Sequence, residues 1–352
     1  MNYQEDYDKV FGESFKQYEK EGLNEMVSNL EQRFKVNDID AEVIFKNKKC
    51  LDAGCGNGPA SLYMAKNGAK EVDSIDISTQ NVNSTAINAN KFDFESIINP
   101  VVGSVMNLPY PDQTFDVVWC YGVVHHTESP DQALKELYRV LKTSGKLILF
   151  LYGTGGILWY IVNRSREFTN QIETDVCRSV LELSGLNNLN MLTSIMDNWK
   201  VPFLCTYTHK EVSERFNELG LEKSNPWKFG LDWDTNHRIS LLKGDDKWMG
   251  EGDLRYIVTK KEHKSKVTDK YALHNNEVNP NKFIDKYIIS KFSHLYDELN
   301  MISKKNFVLG LLAHKQIFLK TAELLRSKKR FNIDELENKI LEVLNWMRTS
   351  IK

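Results

Sequence analysis

Between residues 49 and 152 short apolar runs alternate with stretches whose apolar positions recur every three to four residues, the pattern of strand and helix units around a parallel sheet. Strands are predicted over residues 49–53, 71–75, 97–102, 115–119 and 146–151, with helices over 59–67, 79–89 and 130–141. The last helix gathers Ala133, Leu134, Leu137, Tyr138 and Leu141 on one face. Farther on, Thr208 and Glu211 form a capping box for a helix reaching Leu219, and residues 254–259 (LRYIVT) read as a closing strand. The fold class is α/β, a doubly wound and mostly parallel sheet.

The flanks carry a different pattern. Residues 3–34 predict one or two amphipathic helices, in which Tyr7, Phe11, Phe15 and Tyr18 share a stripe that covers either the ligand edge of the sheet or an ordinary core face. Residues 153–205 are rich in Leu, Asn and aromatics and interrupt the strand and helix alternation, so they predict a helical lid insertion. A polar linker follows at 261–281, then three amphipathic helical patterns at 283–299, 307–325 and 333–347, the last with Asn332 as cap and Glu335 three residues on. The domain reading is therefore 1–48 as an N-terminal helical cap, 49–260 as the α/β domain, 261–281 as linker and 282–352 as a C-terminal helical region.

Composition narrows the function. With 41% hydrophobic residues in 352, the chain buries a full core. Its net charge of −2 removes the overall basic excess of a protein that grips nucleic acid across its surface, so no nucleic acid is expected as a partner. Charge is uneven, however: residues 260–352 carry 19 basic and 11 acidic side chains, +8, against 27 basic and 37 acidic elsewhere, −10. That asymmetry predicts docking of the tail on its own chain or self-association through the C-terminal helices, ahead of the alternative of a nucleic acid or acidic lipid surface. Five cysteines without a CxxC pair, Cys50, Cys55, Cys120, Cys177 and Cys205, predict neither a disulfide framework nor a metal site. Residues 1–18 lack the basic start and apolar stretch of an export signal, and the most apolar run, at 156–162, is far too short for a membrane span. A cytoplasmic location is expected.

The chemistry concentrates at residues 50–58, CLDAGCGNG, where an apolar strand ends in an acid and runs into Gly54, Gly56 and Gly58. Glycine lets the backbone turn sharply and approach a ligand closely. A dinucleotide fingerprint starting at Gly54 would require glycine at 59, where this chain has Pro59, which removes an amide donor from the helix end that would hold a pyrophosphate. No GK[ST] follows either, which excludes a P-loop.

The ordered set LDAGCGNG, SIDIS and VVGSVMNLPYPDQTFDVVWCYGVVHHTESPDQALKELYRVLKTSGKLIL resembles the class I S-adenosylmethionine-dependent methyltransferases, and among them the small-molecule branch that includes the ubiquinone and menaquinone C-methyltransferases. The resemblance covers residues 49–152 and, less specifically, 206–259. It implies a Rossmann-like sheet of seven strands, S-adenosylmethionine as cofactor, and a small organic methyl acceptor. It also implies that Gly54, Gly56 and Gly58 wrap the amino acid end of the cofactor, with Asp52 orienting that loop or, through water, the cofactor's ammonium. Asp76, ending the second strand, would accept the ribose hydroxyls, for which a carboxylate with two acceptor oxygens is suited, or would cap the helix that follows. Ile77 would lie against the adenine.

This chain departs from the pattern at Ser104 and Val105, where such enzymes often carry an acid that reaches the adenine amino group, and at residues 142–145, KTSG in place of KPGG. Cys120 follows the fourth strand and would border the transferred methyl, as a small buried thiol rather than a nucleophile. His126, second of the pair in VVHHTES, is the candidate for positioning or deprotonating the acceptor, with hydrogen bonding of its own loop as the other role open to it. Trp159, Tyr160, Trp199, Tyr207, Trp227 and Trp233 are candidates for the enclosure, and Arg164 and Arg166 for meeting an anionic group. Alternatives kept open are a protein or RNA acceptor and a methyltransferase-fold partner subunit without catalysis.

Overall fold

The computed structural model describes residues 3–15, 18–222, 227, 248, 250–262, 269–274, 286–327 and 331–351. Trp233 and much of the expected linker lie outside the described residues. The strands are β1 (Lys49–Ala53), β2 (Glu71–Asp76), β3 (Ile98–Val102), β4 (Phe115–Tyr121), β5 (Leu141–Tyr152) and β6 (Asp253–Thr259). The helices are α1 (Tyr3–Tyr7), α2 (Glu13–Phe15), α3 (Lys20–Val36), α4 (Ala41–Phe45), α5 (Pro59–Lys66), α6 (Thr79–Lys91), α7 (Pro130–Val140), α8 (Ile157–Thr169), α9 (Thr174–Leu183), α10 (Leu189–Lys200), α11 (His209–Leu219), α12 (Lys286–Ser303), α13 (Phe307–Arg326) and α14 (Ile333–Ser350). A π-helical turn (Asp8–Gly12) joins α1 to α2, and a 3₁₀ turn (Val124–His126) follows β4.

The sheet order is β3-β2-β1-β4-β5-β6, parallel throughout except for β6, which runs antiparallel to β5. Alternation along each strand feeds two cores. Leu51, Val118, Cys120, Leu147 and Leu149 face one side, packed with Leu134 and Leu137 of α7 and with Phe216 of α11. Cys50, Val117, Trp119 and Ile148 face the other, with Phe34 of α3, Phe45 of α4 and Tyr63 of α5. A two-residue side-chain period forces this division, and buried faces on both sides explain the near-continuous apolar strands. The order reverses between β1 and β4, and the crevice outside the carboxyl ends of strands at such a point is where open α/β sheets bind ligands.

Three expectations change. The sheet has six strands among the described residues rather than seven, with β6 paired along β5 from Lys146 to Tyr152 as its edge. The fifth strand starts at Leu141, five residues before the predicted position, because Leu141 pairs with Phe115 and Lys146 with Val117, leaving residues 142–145 as an irregularity inside the strand instead of a turn before it. The insertion and the tail, separate in the sequence reading, fall in one compact unit.

That division gives one unit of residues 1–153, 202–231 and 253–277, and another of 154–201, 232–252 and 278–352. In the second, Ile157, Tyr160 and Ile161 of α8 share a core with Phe292, Tyr296 and Leu299 of α12, Ile317 of α13, and Leu344 and Met347 of α14. No described helix is long and apolar enough to cross a membrane.

Candidate functional site

The glycine loop leaves β1 at the carboxyl edge and is tied down by its own amides. Gly54 and Cys55 donate N–H to the Ile75 carbonyl at 2.7 and 3.1 Å, and Gly58 donates to the Cys55 carbonyl at 2.9 Å. Gly56 donates to Asp76 Oδ2 at 2.9 Å. Pro59 has no N–H. With these donors turned inward, the loop lacks the row of amides a pyrophosphate needs, which removes the dinucleotide reading on geometric grounds. Gly54 sits at φ +84°, and a Cβ there would lie 2.3 Å from Val123 Cγ2, so only glycine fits between β1 and the turn after β4.

Asp76 ends β2 with three donors on its carboxylate: Gly56 N–H on Oδ2, and Ser78 N–H at 2.9 Å and Asn81 Nδ2 at 3.2 Å on Oδ1. It therefore pins the loop and caps α6 at once. Burial raises its pKa, and those hydrogen bonds oppose the rise. Asp52, 2% exposed, lies beneath the loop, where Ser61 Oγ donates to Oδ2 at 2.6 Å. The Ser61 hydroxyl has one proton, so the 2.7 Å contact between Ser61 and Ser74 is a bond donated by Ser74. Burial pushes Asp52 up to about 7 against the pull of Ser61.

The remaining cofactor candidates line the same edge unequally. Ile77 is half-buried beside Asp76. Ser104 accepts the Met106 N–H on its Oγ at 3.2 Å, a local turn, and Gly103 N–H donates to the Asp76 carbonyl at 2.9 Å, which sets Ser104 next to the β2 end. Val105 and Cys120 are core side chains, so only their backbone can border a ligand. Burial, with Asp52 nearby, raises the Cys120 thiol far above its usual range, which keeps it protonated and inert.

His126 closes the 3₁₀ turn. Its Nδ1 lies 3.0 Å from the Phe203 carbonyl oxygen, which can only accept, so Nδ1 carries a proton and donates it there. His125, fully buried, packs against Tyr152 with ring centroids 4.0 Å apart and the rings tilted, and neither of its ring nitrogens has a hydrogen-bond partner among the described residues. Burial holds its pKa well below the ordinary value, so it is neutral.

The N-terminal stripe crosses this edge. Phe15 lies over Gly56, Phe11 packs on Phe15 at 5.8 Å and faces the His126 ring at 6.1 Å, and the Tyr7 hydroxyl donates to the His126 carbonyl. Beside it, Ser78 Oγ donates to Asp8 and Gln4 Nε2 donates to Thr79 Oγ1 at 2.9 Å. The stripe thus takes the ligand-edge position among the two that its periodicity allowed. Sequence reasoning missed Phe203, Tyr152 and Ser61, none of which carries a local signal; His125 was visible in the His-His pair.

Other candidates serve packing. Tyr207 is fully buried and donates its hydroxyl to the His274 carbonyl at 3.1 Å, and Trp227 packs edge-on against Phe34 at 5.4 Å. Within the helical unit, Trp159 and Tyr160 are buried and Trp199 packs on Phe318 at 6.1 Å. Arg164 pairs with Glu167 at 2.7 Å and with Asp297, and Arg166 donates to the Asn198 and Val201 carbonyls at 3.1 and 3.0 Å. Both arginines are held inside that unit. All five cysteines are unbridged, and no cluster of metal-ligating side chains occurs among the described residues.

Residues 51–149 match the family model described as a methyltransferase domain. Over 101 residues the chain is 36% identical to 27-O-demethylrifamycin SV methyltransferase of Amycolatopsis mediterranei (strain S699), covering 29% of this chain and 37% of that protein. It is 38% identical over 106 residues to tRNA U34 carboxymethyltransferase of Helicobacter pylori (strain Shi470), covering 30% and 40%. A longer match, 24% over 229 residues, covers 59% of this chain and 75% of sarcosine/dimethylglycine N-methyltransferase of Aphanothece halophytica. The chain thus spans about two fifths of the length of the first two relatives. On the ordered motifs and this match, residues 51–149 carry a methyltransferase domain.

Proposed function

We propose that the protein transfers the methyl group of S-adenosylmethionine, in line, to a small organic acceptor at O, N or C. The observation that carries this reading is the polarity of the crevice. Around the glycine loop stand the carboxylates of Asp52 and Asp76 and the buried amide oxygens of Asn57 and Asn81, neither of which has a donor among the described residues. Such a surface favours a ligand rich in donors and positive charge, with an ammonium and sugar hydroxyls, and repels phosphate.

S-adenosylmethionine, when bound, supplies a methyl made electrophilic by a sulfonium whose leaving thioether is neutral. The chain's part is to hold and align. The loop at Gly54, Gly56 and Gly58 would carry the amino acid end, with Asp52 fixing β1 to the first turn of α5 beneath it. Asp76 would hold the ribose and Ile77 the adenine, with Ser104, Val105 and Cys120 contributing chiefly backbone. With Nδ1 donating to the Phe203 carbonyl, His126 would take a proton from an O–H or N–H acceptor through Nε2. Phe11 and Phe15 exclude water, which strengthens the site's electrostatics. A lid role for the insertion at 153–205 belongs to the same proposal.

Calorimetry with S-adenosylhomocysteine on the full chain tests the cofactor. Binding is expected, weakened at least tenfold in Asp76→Ala by loss of hydrogen bonds to a charged acceptor; an unaffected variant, or binding of NADH instead, refutes the assignment. A second reading, an RNA acceptor, draws support from the similarity to a tRNA-modifying enzyme. Incubation with isotope-labelled methyl donor, then separation of extracted metabolites from RNA, decides between them by where the label goes. Binding without label in any fraction points to a partner subunit.

A further inference from the structure

The Asp76 carboxylate has too few lone pairs left for the task assigned to it. A carboxylate offers about four acceptor positions. Gly56 N–H occupies one on Oδ2, and Ser78 N–H and Asn81 Nδ2 fill Oδ1. One position remains, on Oδ2, whereas a ribose presents two adjacent hydroxyls.

The missing acceptor stands next to it. Asn81, 3% exposed, is on the first turn of α6 with its backbone N–H bonded to Ser78 Oγ at 3.1 Å. Because a carboxylate accepts only, the amide nitrogen must be the atom facing Asp76, and the orientation of the side chain is settled by chemistry: Oδ1 is directed away from Oδ1 of the acid. That oxygen is buried and has no donor among the described residues. A buried amide oxygen left without a donor destabilises the fold, so a site that retains one has a use for it.

We propose that Asn81 is a positioning residue for the cofactor: its Oδ1 accepts one ribose hydroxyl while Asp76 Oδ2 accepts the other. This deepens the reading above and rests on it. The ligand recognised is a nucleoside with an intact cis-diol, and discrimination against a deoxyribose is divided between two residues. Asn81 also couples the pair, since the bond from its Nδ2 orients the carboxylate that shares the sugar.

The test is calorimetry on the full chain with S-adenosylhomocysteine and with its 2′-deoxy and 3′-deoxy analogues. The wild-type protein is expected to bind both analogues more weakly, the one that lacks the Asn81-bonded hydroxyl by about 3- to 10-fold, the value of one neutral hydrogen bond. In Asn81→Leu, and in Asn81→Ala as a second variant against misfolding, that analogue should bind as well as the parent, while discrimination against the other analogue persists. A purely structural role for Asn81 would weaken all three ligands alike and leave both ratios unchanged; that result overturns the inference while leaving the cofactor assignment standing. Wild-type protein that binds none of the three ligands overturns both.

Discussion

Asp52 shows how folding sets the chemistry of one residue. Its carboxyl moves from an ordinary value of 3.8 to about 7 because burial penalises the charged form more than Ser61 favours it. A carboxyl whose folded pKa is raised supports stability fully below its unfolded pKa, and this support is lost as pH rises toward the folded value. The protein should therefore lose stability between about pH 4 and 7 through this group, by on the order of 4 kcal/mol at most. Asp52→Asn keeps an acceptor for Ser61 and cannot ionise. Melting curves across this range should show the variant gaining on the wild type as pH rises; parallel curves would exclude the effect. Nearby, Cys120 and Val105 were named as ligand-bordering from the resemblance; the side chains of both turn into the core, Cys120 from within β4 and Val105 from the turn after β3.

At the scale of elements, the site is a junction of β1, β2, β4 and the helices that follow them. Gly54 is where the junction is tightest. Gly54→Ala places a Cβ 2.3 Å from Val123 Cγ2 at positive φ, adding roughly 1–2 kcal/mol of backbone strain and about 1–3 kcal/mol of overpacking. Denaturant unfolding of the variant should show that loss, and S-adenosylhomocysteine binding should fall with it. Adding Val123→Ala should recover the packing portion alone. If the double variant is no more stable than the single one, Val123 is not the obstacle. The N-terminal segment obeys another logic: its stripe was legible as amphipathic, but Asp8 meeting Ser78 and Tyr7 meeting His126 join residues 70 and 119 apart in sequence, which periodicity cannot foresee.

For the whole molecule, the tail is half of a core rather than an appendage. Phe292, fully buried, shares its cluster with Ile157 and Ile161 of the insertion, and Lys291 pairs with Asp334 and Glu337 at 2.8 and 2.7 Å inside the same unit. Phe292→Ala should destabilise that unit by about 3–5 kcal/mol. Deleting residues 286–352 removes the side chains that cover Ile157, Tyr160 and Ile161. Circular dichroism of the shortened chain should then lose more helix than the deletion accounts for, and dye binding should report new apolar surface. Loss limited to the three deleted helices would mean that α8 to α10 stand alone.

Most of the sheet was readable from residues alone, because strand alternation, a helix's apolar face and a capping box such as Thr208 with Glu211 are local, and their physics acts within a few residues. The glycine loop and Asp76 were legible in the same way, as residue types at fixed spacing along the chain. Only the folded chain decided how the carboxylates are shared among donors, which nitrogen of His126 holds its proton, and that insertion and tail build one core. Each of those depends on which distant groups meet, and such meetings are chosen by packing over the entire chain, for which no local pattern is left in the sequence.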